Sequence, residues 1–210
     1  FKYIITCSGA HKFLIEKGII PTWHVEVDPR AHKKDLLGPP HPDVTYLPSS
    51  TCHPDYFDHL EGFKVNLWHV FDSQEEGLRV LPPGEWAITG GPNVGLRALT
   101  IARFFGFKDV HIFGMDGCVK ETSHAAYHPN AITKPQECDY EGKTYKTSQA
   151  MLESARQTFH ELDMLYDVTP TFYGEGLVQE MHKHYVRKIT KGSAVAMAKP
   201  ELISAAYREL

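Results

Sequence analysis

The sequence predicts an α/β fold built on a mostly parallel sheet with flanking helices and a polar insertion that carries a short hairpin. Three observations predict it. Short apolar runs rich in β-branched residues recur along the chain, amphipathic stretches of helical period separate several of them, and polar residues follow the runs at their carboxyl ends.

The strands expected in chain order are KYIIT at 2–6, WHVEV at 23–27, VTYLP at 44–48, FKVNLW at 63–68, DVHIFG at 109–114 and TPTFY at 169–173. Residues 10–17 form the first expected helix, with Phe13 and Leu14 on its apolar side and Gly18 as its stop. A second, 94–105, turns Leu96, Leu99, Ile101, Ala102 and Phe105 largely to one face and stops at Gly106. The longest, 148–166, spaces Met151, Leu152, Ala155, Phe159, Leu162 and Leu165 at helical period. Residues 116–148 break the pattern: they are polar and rich in His, Pro and Gly, they read as an insertion or lid, and CDYEGKTYKT within them reads as a hairpin turning at Glu141 and Gly142. The tail 192–210 reads as a last helix after Pro200 that packs on a neighbour, which makes a homo-oligomer an expectation. One domain over 1–210 with an insertion is the simplest organisation.

Composition narrows the function classes. Among 210 residues, 42% are hydrophobic and 23% charged, the balance of an ordinary globular chain. Lys plus Arg total 22 against 26 Asp plus Glu, so a net charge of −4 gives no basic field for a nucleic-acid backbone. No apolar run approaches the roughly 18–20 residues that cross a bilayer, and the opening FKYIITCSGAHKF does not read as a leader, so a cytoplasmic protein with no membrane partner is expected. Cys7, Cys52, Cys118 and Cys138 are scattered without a CxxC pair, unlike a zinc cage or a disulfide framework.

Parallel sheets bind ligands outside the carboxyl ends of their strands. The residues in those places are Ser8 and Gly9 after the first strand, Asp28 and Arg30 after the second, Ser49 and Ser50 after the third, His69 and Asp72 after the fourth, and Asp116 after the fifth. TGGPNVG runs straight into a helix, and Gly90, Gly91 and Asn93 there suit a loop that approaches phosphate closely, or else a tight turn that needs its glycines for geometry alone. Asp28 and Asp116 each end an apolar strand; such carboxylates suit a Mg²⁺ held against a diphosphate, and their bland alternative is a salt bridge with Arg30 and a turn cap. His124, four residues before His128 in SHAAYH, suits a proton-transfer role better than a metal pair, because Pro129 speaks against a helix there. Trp68 and Tyr173 end strands where an aromatic ring either stacks on a base or packs in the core.

Taken in order, ITCSGAHKFLIEKGIIPTWHVEVDPR, SSTCHP, GGPNVGLRALTIARFFGFKDVHIFGMDG and SHA, with a weaker echo at YGEGL, resemble the MptE-like family. Its named member is an archaeal 6-hydroxymethylpterin diphosphokinase, and the domain also occurs in bacterial motility-associated factors. The resemblance implies a Rossmann-like fold, related in shape to sialyltransferases. It also implies a transferase that uses a nucleotide donor such as ATP or a CMP-sugar: a diphosphokinase-type transfer to a hydroxyl acceptor first, a glycosyltransferase second. A non-catalytic binding or scaffold module is the rival from another class. Residue by residue, the resemblance matches Asp28 to the family's strand-terminal Asp, Gly90, Gly91 and Asn93 to its glycine loop, Asp116 to its second acidic position and His124 to its "HA" histidine. Joined to the reading of the strand ends, this gives His124 and Asp116 as catalytic, Ser8, Gly9, Ser49, Ser50, Gly90, Gly91 and Asn93 as donor contacts, and Mg²⁺ on Asp28 and Asp116. Family members carry a GxGPSL-type strand and loop ahead of the first segment present here, so the chain is read as lacking an N-terminal part of the nucleotide site.

Overall fold

The computed structural model describes residues 1–71, 84, 85, 87–119 and 136–185. His124, His128, Asp72, residues 120–135 of the lid and the expected tail helix lie outside the described residues. The fold is mixed α/β with parallel strands flanked by helices, as the sequence predicts. Its contacts gather into two compact units that divide between Thr89 and Gly90, and each unit is described by itself.

The first unit opens with β1 (Ile5–Cys7), α1 (Ala10–Glu16), β2 (Trp23–Glu26), α2 (Lys33–Leu37), β3 (Thr45–Pro48), α3 (Pro54–His59) and β4 (Lys64–Val65). The four strands make one parallel sheet in the order β1-β2-β3-β4, with Thr6 opposite His24, His24 opposite Tyr46 and Tyr46 opposite Val65. Two further short strands, β5 (His69–Val70) and β6 (Ala87–Ile88), pair in parallel.

Helices α1 to α3 cover the sheet face that carries Thr6, His24 and Tyr46, which accounts for an unusual core. α1 buries His11 completely, whereas Phe13, the expected apolar contact, is 39% exposed. Sterically His11 fills the place of an apolar residue; chemically it needs partners, and it has them in Leu37 O at 2.8 Å and the Tyr46 hydroxyl at 3.1 Å. His24 is held likewise by Thr6 Oγ1 at 3.1 Å and the Tyr56 hydroxyl at 2.9 Å. Around these rings pack Leu37, Val44, Cys52 and Leu60. Trp68 is also core, its indole N–H donating to Leu47 O at 2.8 Å.

The second unit contains α4 (Val94–Phe104), β7 (Asp109–Phe113), the hairpin β8 (Gln136–Tyr140) and β9 (Lys143–Thr147), α5 (Gln149–Met164), β10 (Thr169–Tyr173) and α6 (Leu177–Lys183). β7 and β10 pair in parallel over five residues, from Asp109 opposite Thr169 to Phe113 opposite Tyr173. The hairpin turns where expected: Glu141 and Gly142 take φ of 48° and 74°, the two-residue turn whose twist matches that of the strands. Leu99, Ile112, Leu162, Leu165 and Val168 form the core between α4, α5 and the strand pair. Among the described residues no helix is long and apolar enough to cross a membrane.

Candidate functional site

In the first unit the carboxyl edge of the parallel sheet gathers Ser8, Asp28, Arg30, Lys33, Ser49 and Ser50. Ser8 turns the chain from β1 into α1 at φ 49°, a left-handed conformation costly for a residue with a Cβ. Gly9, which would adopt it freely, sits instead in the right-handed region as the N-cap of α1. The strained turn aims the Ser8 hydroxyl at Lys33, whose Nζ lies 3.1 Å from Ser8 Oγ and 3.1 Å from Asp28 Oδ2. Lys33 is only 7% exposed, and Asp28 is its counter-charge. The Arg30 guanidinium also bonds both Asp28 oxygens, with Nε at 2.8 Å and 3.0 Å and Nη2 closer still. Burial pushes the Asp28 carboxyl up, but Arg30 and Lys33 outweigh it and hold the group well below the usual carboxylate range.

Beneath Asp28 lies Glu26, fully buried at the end of β2. Its Oε1 accepts the amides of Val27 at 2.9 Å and Asp28 at 3.1 Å, while Oε2 is buried with no hydrogen-bond partner. Burial raises its proton affinity, and Lys33 and the two amides offset that only in part. Cys7 and Cys52, at the same edge, are pushed up to about 12 by burial and then by the Glu26 charge, so both stay as thiols at neutral pH and offer no thiolate nucleophile.

The loop after β3 is tied to this edge. Ser49 Oγ bonds Thr51 Oγ1, which donates to Val27 O at 2.7 Å. Ser50 is exposed, with its hydroxyl on the His69 ring.

The expected residues of the second unit have firm local roles. Asn93 caps α4: its Oδ1 accepts the Leu96 amide at 2.9 Å, and its Nδ2 bonds Ser154 Oγ. Gly90, at φ +135°, lies so close to α4 that a Cβ there would stand 2.7 Å from Thr100 Oγ1 and 3.1 Å from Arg97 Cα. Its freedom therefore serves the packing of loop on helix. Asp116 accepts from Gln179 Nε2 at 2.9 Å, and its carbonyl takes the Val178 amide at 3.1 Å. A Cβ on Gly176 would be 2.7 Å from Asp116 Cβ, so the FGMDG and YGEGL segments meet through a glycine that lets the backbones touch. Gln179 Oε1 is buried without a partner. Tyr173 stacks on Phe113 at 4.5 Å, and both rings are exposed.

Asp28 belongs to the first unit and Asp116 to the second. The model of the family described as "6-hydroxymethylpterin diphosphokinase MptE-like" matches residues 2–122, more than half of the chain. The chain belongs to the MptE-like family. The match takes in Ser8, Asp28, Lys33, Ser50, His69, Gly90 and Asp116, and stops short of the hairpin, α5, β10 and α6. This MptE-like chain is similar in fold to the MAf glycosyltransferase from Magnetospirillum magneticum AMB-1, at 18% identity and a TM-score of 0.63, over 99% of this chain and 32% of that one. It thus spans about a third of that structure's length. No curated protein matches it. Family and structural neighbour both carry transferase names.

Glu26 and Lys33 escaped the sequence reading. An acidic residue inside WHVEV was a usable signal for Glu26, because a parallel strand is buried on both faces and a carboxylate there needs a reason. Lys33 in RAHKKD had none: only the turn at Ser8 and the carboxylate of Asp28 make it more than a surface lysine.

Proposed function

We propose that this MptE-like chain binds the phosphates of a nucleotide donor at the carboxyl edge of its first sheet and supports diphosphokinase-type transfer to a hydroxyl acceptor. The observation that carries this reading is the buried Lys33 ammonium, fixed by Ser8 and Asp28. An ammonium has three protons; two are directed at Ser8 and Asp28, and the third is available to a phosphate oxygen. Arg30, which also pairs with Asp28, adds a planar donor fork at the same edge. Such fixed charge acts on a phosphoryl group without reorganising as negative charge builds on the leaving oxygen.

The expected Mg²⁺ does not fit Asp28 as it stands, because both oxygens already face cations. Among the described residues no three His, Cys, Asp or Glu side chains gather in a metal-ligating group.

Glycosyl transfer from a nucleotide-linked sugar is the second reading, favoured by one observation: the fold likeness to the MAf glycosyltransferase runs through the hairpin and last helices that the family match does not reach. Calorimetry with ATP, CTP and a CMP-sugar, with and without Mg²⁺, tests both. One nucleotide class binds, and Lys33→Met weakens it at least about tenfold, a loss of about 1.4 kcal/mol. Binding of none of them, or equal binding by Lys33→Met, overturns the reading.

A further inference from the structure

The Ser50–His69–Glu85 constellation is left unused by the donor site. The Ser50 amide donates to Trp68 O at 2.8 Å, and Ser49 and Trp68 bridge in parallel, so the end of β3 and the start of β5 are locked side by side. This sets Ser50 Oγ 2.8 Å from His69 Nδ1, and the other ring nitrogen, Nε2, contacts the Glu85 carboxylate. The His69 side chain is 20% exposed, enclosed enough to be held and open enough to be reached.

The chemistry of the three groups fixes the ring's tautomer. An ionised carboxylate only accepts, so Nε2 carries a proton, and in the neutral ring the Nδ1 lone pair then faces the hydroxyl. A hydroxyl, an imidazole lone pair and an orienting carboxylate in series are the parts of a proton-abstracting device. Two roles follow from that: Ser50 as a covalent nucleophile, or His69 as a base for an incoming hydroxyl. The backbone favours the second. The amides of Ser50, Thr51 and Cys52 are spent on Trp68 O, Ser49 Oγ at 3.1 Å and Ser49 O at 3.0 Å, so these three are not free to stabilise an adduct on Ser50. The loop is also roped to the donor edge through Thr51 and Val27 O, next to Asp28.

We propose that His69 is the general base of the transfer, taking the acceptor's proton at Nδ1 in the place Ser50 Oγ holds, and that Glu85 is a positioning residue for its ring. This rests on the donor reading above. The acceptor O–H bond breaks, its proton goes to Nδ1, and its electron pair forms the new bond to the transferred phosphorus or anomeric carbon. The bond from that centre to the nucleotide's phosphate oxygen breaks, and the oxygen leaves with the pair as a nucleoside monophosphate. The imidazolium stays against Glu85 until Nδ1 gives its proton to water.

The test uses the full chain with ATP and a CMP-sugar, glycerol and water as hydroxyl probes, release of AMP or CMP as readout, and calorimetry for donor binding. His69→Ala and His69→Gln lower release by about 10²- to 10⁴-fold with donor affinity unchanged, and added imidazole restores part of the loss in His69→Ala. Glu85→Gln lowers kcat more than it changes KM, and the ¹⁵N spectrum of His69 moves away from the Nε2–H tautomer. Undiminished release in both His69 variants, loss in His124→Ala instead, or a covalent adduct on Ser50 overturns the proposal. A chain that binds donor and releases nothing to either probe overturns the base role and leaves the donor reading standing; a chain that binds no nucleotide fails at the donor reading, which calorimetry reports separately.

Discussion

Arg30 and Lys33 approach Asp28 from solvent and from the interior respectively, and the difference decides what the carboxylate is worth. The Arg30 side chain is 60% exposed, so its pair with Asp28 is screened by water. Lys33 is buried, and removing its counter-charge leaves the ammonium with the Ser8 hydroxyl and the Glu26 carboxyl, whose own charge burial disfavours. Asp28→Asn therefore destabilises the first unit by about 1–3 kcal/mol, read as a shift of the urea midpoint at constant slope. The sign with pH follows from the depressed carboxyl: its contribution is fully present above the ordinary Asp value of 3.8 and is lost as pH falls below that toward the folded value. An Asn variant as stable as the parent at pH 7 would show that Lys33 does not need the charge. Asp28 was legible in the sequence because VEVDPR ends an apolar strand on an acid. Its pairing with Arg30 was legible too, as the bland alternative to a metal role, but Lys33 was not, since a residue five positions on can face anywhere until α2 sets its direction.

At the scale of elements, the long periodic segments were legible and helices of five or six residues were not. The expected helix at 94–105 is α4 (Val94–Phe104), and the expected strand TPTFY is β10, Thr169–Tyr173. Helices α2 and α3, of five and six residues, carry too few turns for a period to show. α3 is also capped by a histidine, His53 Nδ1 accepting the Asp55 amide at 3.2 Å, where sequence rules look for Ser, Thr, Asp or Asn. Only Pro54 at its first turn pointed to it. β5 and β6, two residues each, exist because their neighbours hold them. The loop before α4 gives a prediction at this scale. Asn93→Ala removes the cap and costs about 0.5–2 kcal/mol, whereas Asn93→Asp retains an oxygen for the Leu96 amide and costs less. Gly90→Ala costs more than about 1 kcal/mol, because the added methyl meets backbone at Arg97 and needs a φ that alanine resists. Thermal melts of the three variants check the order; a harmless Gly90→Ala would mean that the loop moves away from α4 without cost.

Across the whole molecule, the alternation of apolar runs and helices was enough for the α/β class, but it did not show that polar side chains fill a covered face of the first sheet. In WHVEV, His24 and Glu26 alternate with Trp23, Val25 and Val27 and so share the other face of the strand. A parallel sheet under crossover helices is covered on that side too, and His24 and Glu26 are both 1% exposed. Their burial makes stability depend on pH in opposing senses. Burial holds His24 well below its ordinary value, and holds His11 down too, so the folded state keeps both rings neutral while the unfolded chain takes up protons below about pH 6.5. Stability present above that pH is lost as pH falls through it, by at most about 1.4 kcal/mol per pH unit for each ring. Glu26 works the other way: burial raises its folded value above 4.5, so it costs stability at neutral pH and returns some as pH falls through the raised value. Two rings against one carboxyl leave a net loss on acidification. Urea titrations from pH 7.5 to 5 should show the midpoint falling, a flatter profile for His24→Gln and a steeper one for Glu26→Gln. A midpoint that holds level across that range in the parent chain would mean that the buried rings take up protons without leaving the core, and the Thr6, Tyr46 and Tyr56 hydroxyls would then be accepting from imidazolium rather than matching a neutral ring.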